Sequence, residues 1–152
     1  MAPPTRYWED YELGAVYDMG SETMANEEII DFASKFDPQP FHLDEEAAKK
    51  SIFRGLAASG WHTCSEVMRL MVDNYISRET SMGSPGLDEI RWLKPVLAGD
   101  TITAKIRIVD KKPSRSRPDM GSVFNEYEIY NQKGELVMTM KGIGLMRRRT
   151  AA

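Results

Sequence analysis

The sequence predicts an α+β domain in which a curled antiparallel β-sheet wraps around one long central α-helix. Apolar residues recur at helical spacing in the first half of the chain and alternate with polar residues in the second half. Helices followed by a cluster of strands are typical of this class. The 152 residues predict a single domain over residues 1–152, since domains cluster near about 100 to 200 residues.

The first predicted element is an amphipathic helix of about ten residues. Over residues 23–36, apolar side chains recur at helical spacing behind Thr23 or Asn26 as candidate N-caps. Two prolines follow and push the residues before them toward extended conformations. Residues 37–41 are therefore predicted to form a stiff, ordered loop.

The next two predicted elements are a short helix and the long central helix. Asp44 can cap a helix over residues 45–50, and glycines at 55 and 60 bracket the following connection. Residues 61–75 carry an apolar face wide enough for a helix that is buried on more than one side. That face consists of Trp61, Cys64, Val67, Met68, Leu70, Met71 and Tyr75.

The second half of the chain predicts antiparallel strands. Residues 101–108 and 123–129 alternate between apolar and polar side chains, which is typical of strands with one buried face. Residues 131–134 predict a hairpin turn into a third strand over 135–145. Residues 87–93 and 15–21 predict two more strands.

Composition limits the function classes. The net charge of −3 argues against nucleic-acid binding, and no run of about 18 apolar residues predicts a membrane span. The N-terminus lacks the features of a signal peptide, so we expect a protein that is neither exported nor membrane-spanning. A single cysteine excludes an intramolecular disulfide and favours the cytoplasm, and two histidines give no structural-zinc spacing.

The basic, proline-bracketed residues 111–118 predict a solvated loop. We interpret its basic side chains, and those of residues 147–149, as solvated charge, with contact to an anionic nucleotide tail as the alternative. The basic side chains of the loop are Lys111, Lys112, Arg115 and Arg117.

Asp37 and His42 are the first candidates for chemistry. They lie five residues apart on the proline-stiffened segment, with Phe41 available to pack beneath them. A carboxyl group and an imidazole with reference pKa values near about 3.9 and 6.5 can share a water and exchange its proton. This pairing suits the addition or removal of water. Structural roles are equally open: Asp37 could cap a turn, and His42 could be a hydrogen-bonded structural histidine.

Ser59, Gly60 and Trp61 are the second candidates, at the start of the central helix. The first N–H groups of a helix have no intrahelical acceptor and carry the positive end of its dipole. Gly60 has no side chain to shield its N–H, so a ligand carbonyl could be stabilised there as it becomes enolate-like. Gly60 could equally be an ordinary connector.

Three other features of the central helix favour structural roles. His62 has no carboxylate at a recognisable catalytic spacing, so we interpret it as structural. Cys64 has no adjacent base or cation and is interpreted as a buried thiol. Trp61, Met68 and Met71 are interpreted as core or tunnel lining.

The sequence resembles the MaoC-like dehydratases and (R)-specific enoyl-CoA hydratases of the hotdog fold. Asp37 and His42 stand at the aspartate and histidine of their hydratase motif, with Pro40 at its proline and Asp44 at the usual acidic residue. Gly60 lies where the family places its oxyanion-hole glycine. The resemblance continues through residues 94–96, 99–101 and 131–134.

Two residues depart from the family pattern. Gln39 stands where the family usually has Asn, and Ser59 where it often has His. Both departures fall beside the proposed acyl pocket, and we expect Gln39, Phe41, Ser59 and Trp61 to contribute to substrate binding.

The resemblance implies reversible syn hydration of a trans-2-enoyl thioester to the (R)-3-hydroxyacyl thioester, without metal or redox cofactor. Asp37 and His42 would bind the water, with Asp37 as principal base, while the Gly60 N–H polarises the thioester carbonyl. The carrier would be coenzyme A or acyl carrier protein. The resemblance also implies a homodimer, or a larger assembly of dimers, with sheets joined edge to edge.

Two alternative functions remain open. Hotdog proteins also include acyl-CoA thioesterases, and a non-catalytic acyl-thioester-binding module could retain Asp37 and His42 without activity. Release of coenzyme A without loss of the enoyl chromophore would indicate the first, and binding without turnover the second.

Overall fold

A five-stranded antiparallel sheet forms the frame of the protein, whose computed structural model describes residues 3–149. The strands are β1 (Val16–Thr23), β2 (Gly86–Trp92), β3 (Thr101–Pro113), β4 (Met120–Tyr130) and β5 (Leu136–Arg147). Their order across the sheet is β1-β3-β4-β5-β2. The two end strands, β1 and β2, are thus the edges of the sheet.

Four helices complete the fold, and the longest is the central one. They are α1 (Asn26–Phe36), α2 (Pro40–Leu43), α3 (Glu45–Lys49) and α4 (Gly60–Asn74), and one 3₁₀ turn precedes β1 at Trp8–Asp10. The α+β class and the curled sheet around α4 are confirmed. Within residues 3–149, none of the helices has the length and apolar character needed to cross a membrane.

The core lies between α4 and the inner face of the sheet. On β3 every second residue is buried, as the alternation predicts: Ile102, Ala104, Ile106 and Ile108. The end of α4 is tied to β1, because the Asn74 side-chain amide donates to the carbonyl of Met19 at 2.7 Å. The predicted hairpin at 131–134 also forms, and Gly134 supplies the positive φ of 75° that its turn requires.

The start of α1 differs from the sequence prediction. Asn26 is the first helical residue, and the N-cap position belongs to Ala25, which has no side-chain cap. Thr23 ends strand β1 instead, and its hydroxyl bonds the hydroxyl of Thr101 on β3 at 2.9 Å. Pairing in the sheet therefore determines the role of Thr23. The Asp44 cap is confirmed, because its carboxylate accepts from the N–H groups of Glu46 and Ala47.

The predicted burial of α4 on more than one side is wrong within one chain. Val67, Leu70 and Met71 face the core, but Trp61 is 59% and Met68 51% exposed. The sheet covers only one face of this helix. The opposite apolar face lies open beside the edge strand β2.

The predicted loop over residues 111–118 begins later than expected. Lys111, Lys112 and Pro113 continue β3, and Pro113 pairs with Gly121 of β4. Strand β1 no longer accompanies β3 beyond Arg107, so this part of β3 is an edge where proline is tolerated. Most of the terminal basic charge is paired, since Arg148 and Arg149 bond Glu9 and Asp10.

We expect Gly121→Ala to destabilise the fold through Trp8. The Trp8 indole lies against the Cα of Gly121, and its Nε1 donates to the carbonyl of Ser122 at 3.0 Å. A Cβ at position 121 would meet three indole atoms at 2.5 to 2.6 Å. Urea denaturation should show a loss of about 1 to 3 kcal/mol in the free energy of unfolding.

Gly55→Ala is the matched control for that substitution. Its Cβ would meet only Leu97, at 3.9 Å, so we expect a change within about 0.5 kcal/mol. Equal stability of the Gly121 and Gly55 variants would contradict the close packing of Trp8.

Candidate active site

The segment from Asp37 to His42 begins as an extended turn and ends as a helical one. Asp37 caps the end of α1, and its carbonyl accepts the N–H of Gln39 at 2.8 Å. Pro40 then begins α2. Proline has no N–H, but an N–H at the first helical position would have no intrahelical acceptor, so no hydrogen bond is lost there. The predicted loop over 37–41 is thus shorter, and α2 places the His42 ring back over Asp37.

Asp37 and His42 face each other. The His42 Nε2 lies 3.3 Å from the Asp37 Oδ2, and their side chains are only 7% and 19% exposed. The other ring nitrogen, Nδ1, lies 2.6 Å from the carbonyl oxygen of Ala57. The N–H of Ala57 in turn donates to the carbonyl of Phe41. Ala57 therefore holds both the backbone and the imidazole of this segment.

These contacts determine where protons lie on His42. The carbonyl of Ala57 can only accept, so Nδ1 must carry a hydrogen. In a neutral ring, Nε2 then presents a lone pair to the Asp37 carboxylate, which is also an acceptor. The two groups are compatible when a proton, or a molecule that donates to both, lies between them. The geometry is suited to holding and passing one proton.

The Asp37 carboxylate stays ionised at neutral pH. Burial raises its pKa, but the hydrogen bond from Gln39, the nearby Ser59 hydroxyl and the charge of His42 lower the pKa further than burial raises it. The net pKa is therefore below its ordinary value. Gln39 makes the shortest of these contacts, with its Nε2 at 2.6 Å from the Asp37 Oδ1. Gln39 thus acts on Asp37 directly.

Gly60 is the first residue of α4, where its N–H has no intrahelical acceptor. The indole of Trp92 covers its Cα, and a Cβ there would lie 2.4 Å from the Trp92 Cε2. The Trp92 Nε1 also donates to the Gly60 carbonyl at 3.1 Å. Only glycine fits this position beside the Trp92 indole. The role of its N–H toward a substrate carbonyl stays a prediction.

One cleft of about 420 Å³ brings these groups together. Asp37, His42 and Gly60 all line it, and so do three of the four predicted substrate-binding residues: Gln39, Phe41 and Trp61. Ser59 does not line the cleft. It is fully buried beneath it, and its hydroxyl is near Asp37 but outside hydrogen-bond geometry.

The structure adds cleft residues that the sequence analysis did not single out for this role. Phe53 and Trp92 contribute aromatic walls, and Lys94 extends the lining toward the hairpin, where it pairs with Glu135 at 2.5 Å. Phe53 and Trp92 carry no motif signal, because tertiary packing alone brings them to the cleft. Lys94 lies in residues 94–96, which resemble the family, and this resemblance could have identified it from the sequence.

The basic residues of the β3–β4 end lie far from this cleft. The cleft is beside the start of β5, whereas Arg117 and Arg147 lie near the opposite end of β4. The 11 residues of β4 span about 30 Å between these ends. Within one chain, these basic residues do not line the cleft.

Two side chains of α4 differ in part from their sequence interpretation. Cys64 is half-buried, and burial raises the pKa of its thiol, which agrees with an unreactive residue. His62 is buried, but the carboxylate of Glu66 lies 3.3 Å from its Nε2. The sequence analysis did not consider Glu66 as a partner of His62, although i and i+4 residues meet on a helix. The structural role of His62 stays a prediction.

The curled antiparallel sheet and its long central helix define a hotdog-fold protein. Residues 11–126 match the family description "MaoC like domain", and the chain belongs to this family of MaoC-like dehydratases.

Three similar proteins illustrate the relationship. The structure of a MaoC-like dehydratase from Rhodospirillum rubrum is 38% identical, with a TM-score of 0.89 over 97% of this chain and 100% of that one. The uncharacterized protein YdeM of Bacillus subtilis is 28% identical over 88% of this chain and 97% of its own length. The R-hydratase PhaJ1 of Pseudomonas aeruginosa is 18% identical and shares the fold, with a TM-score of 0.73 over 96% and 92%.

We expect Gln39→Leu to raise the pKa of Asp37, because it removes the hydrogen bond that favours the ionised form. Carbon-13 NMR titration of the Asp37 carboxyl would measure this. Gln132→Leu is the matched control, because Gln132 also donates to an aspartate, Asp100, but outside the cleft. An Asp37 pKa that is equal in both variants would contradict the role of Gln39.

Proposed function

We propose that this protein catalyses the reversible hydration of a trans-2-enoyl thioester to the (R)-3-hydroxyacyl thioester, with coenzyme A or acyl carrier protein as carrier. The observation that carries this proposal is the 3.3 Å contact between Asp37 and His42 in one cleft with the N-terminus of α4. Membership in the MaoC-like dehydratase family supports it. So does the shared fold of the Pseudomonas R-hydratase.

The proposed reaction uses the acid–base pair on one side of the substrate and the Gly60 N–H on the other. Asp37 and His42 bind a water, and Asp37 removes its proton as the hydroxyl adds to C3. The electron pair of the C2–C3 double bond moves to the thioester oxygen, where the Gly60 N–H stabilises the enolate. The pair then returns one proton to C2. The net reaction adds one water and leaves the protein unchanged.

The pKa direction of Asp37 agrees with this role. A general base must be ionised to act, and activity falls as the pH drops through its pKa. Because the Asp37 pKa is lowered, the carboxylate remains a base well into the acidic range. His42 is held by Ala57, and its Nε2 faces the Asp37 carboxylate, where a water in contact with both groups would bind.

We expect Asp37→Asn and His42→Ala each to lower kcat for crotonyl-CoA hydration by about 10²- to 10⁴-fold, because each removes a proton-transfer group. The rate is followed by loss of absorbance of the conjugated thioester, and circular dichroism verifies folding. Asp31→Asn is the control: it makes the same change on α1, at a side chain that is 67% exposed. We expect it to keep the wild-type rate.

A chain-length series of enoyl thioesters separates this proposal from its alternatives. Wild-type rates in the Asp37 and His42 variants would contradict the assigned roles. Thiol release without hydration would indicate a thioesterase, and tight binding without any turnover would indicate a binding module. Either of these last two results would overturn the proposed reaction.

We also propose a homodimer that forms through the β2 edge of the sheet. An unpaired strand edge is open to pairing with another chain. Among residues 3–149, five of the ten exposed large apolar residues lie on β2, directly after it or on the adjoining face of α4: Trp61, Met68, Leu87, Trp92 and Leu93. Pairing through β2 would cover them and place the cleft at the subunit boundary.

We expect Leu87→Glu to convert the dimer to a monomer, because it buries a charge in the β2 interface. Light scattering after gel filtration should show a mass near 17.3 kDa for this variant and twice that for the wild type. Val16→Glu on β1 is the matched control, since Val16 is 49% and Leu87 48% exposed. A dimer disrupted only by Val16→Glu would place the interface on β1.

A further inference from the structure

A second cluster of chemically active side chains lies outside the catalytic cleft. Glu28 on α1 and His62 and Glu66 on α4 each offer one donor atom, and these three atoms lie within 4.8 Å of one another. The cluster lines a separate surface cleft of about 440 Å³ that does not include Asp37, His42 or Gly60. We infer that it binds a divalent transition-metal ion such as Zn²⁺.

His62 is held in position by packing and points its Nε2 toward the carboxylates. The residue is 4% exposed, and its ring stacks on Phe32 with centroids 4.9 Å apart and an interplanar angle of 11°. Its buried Nδ1 has no hydrogen-bond partner among the described residues, unlike the Nδ1 of His42. The buried His62 ring is therefore not hydrogen-bonded at both of its nitrogens. In the described part of the chain only its Nε2 has a polar partner, the Glu66 carboxylate of the cluster.

The spacing between His62 and Glu66 fits a shared metal. Their 3.3 Å contact is within hydrogen-bond range, like that of His42 and Asp37, but it is longer than the distance of about 2.7 to 2.9 Å in a charge-assisted hydrogen bond. Two tetrahedral ligands, each about 2.1 Å from a zinc ion, lie about 3.4 Å apart. His62 and Glu66 therefore already have the separation of two zinc ligands. Glu28 is exposed and free to rotate inward as the third.

The charge around the cluster favours a cation. Four carboxylates line this cleft, from Glu27, Glu28, Asp31 and Glu66, against one ammonium group, from Lys35. Lys35 lies 3.2 Å from Asp31 and pairs with it. Its positive charge therefore does not balance the charges of the three glutamates. Imidazole combined with carboxylate favours transition metals over Mg²⁺ or Ca²⁺, which prefer oxygen ligands alone.

A metal at this position would join α1, which ends directly before Asp37, to α4, which begins at Gly60. Glu28 and Glu66 would be linked through the ion across the α1–α4 contact that Phe32 and His62 already make. The ion therefore acts as a structural tie between α1 and α4, at a distance from the substrate.

Zinc binding to the chelator-treated full-length protein tests this inference by isothermal titration calorimetry. We expect one equivalent to bind, and Glu66→Gln and His62→Gln each to weaken binding at least tenfold. The melting temperature should rise by about 5 to 10 °C at a hundredfold excess of zinc over its Kd. Glu66→Gln has nearly the same size, so it decides the result if His62→Gln does not fold.

Two control variants exclude other locations for the ion. Glu27→Gln removes the same charge from the same cleft but not from the cluster, and His42→Ala removes the other histidine. We expect both to bind zinc within twofold of the wild type. Absence of saturable binding, an equal loss in Glu27→Gln, or loss in His42→Ala would each overturn the inference.

Discussion

The hydrogen bond between the His42 Nδ1 and the Ala57 carbonyl is the constraint on which the geometry of the cleft around Asp37 depends. It fixes the protonated nitrogen of the ring and directs Nε2 to Asp37. Ala57 can hold the ring because its own segment pairs with residue Leu97 and bonds Phe41. Loop segments that are distant in sequence thus orient a side chain that a four-residue helix could not fix by itself.

The curled sheet and α4 bring Asp37 and His42 into one cleft with the N-terminus of α4. Burial raises the pKa of Asp37, and this effect alone would favour the neutral acid. Gln39, Ser59 and His42 reverse that shift, so the site retains a base inside a largely apolar cleft. On the other side, Trp92 packs against Gly60 so closely that a side chain is excluded at the first residue of α4.

The sequence was sufficient for the strands and for grouping the candidate site residues in one cleft, because both depend on local patterns. Alternation along β3 predicted its buried face, and motif spacing placed Asp37, His42 and Gly60 together. Features that depend on tertiary contacts were missed. Thr23 is in β1 because it pairs with Thr101, and Trp92 reaches Gly60 only after the sheet forms. The role of Glu66 beside His62 was missed although its helical spacing was visible in the sequence.

Hydration of crotonyl-CoA in D₂O, followed by chiral analysis of the product, tests the central claim most directly. A single acid–base pair must deliver oxygen to C3 and hydrogen to C2 from the same side of the substrate. The account predicts (R)-3-hydroxybutyryl-CoA with one deuterium at C2 and syn geometry. An (S) product, or anti addition, would contradict a shared proton between Asp37 and His42 opposite the N-terminus of α4.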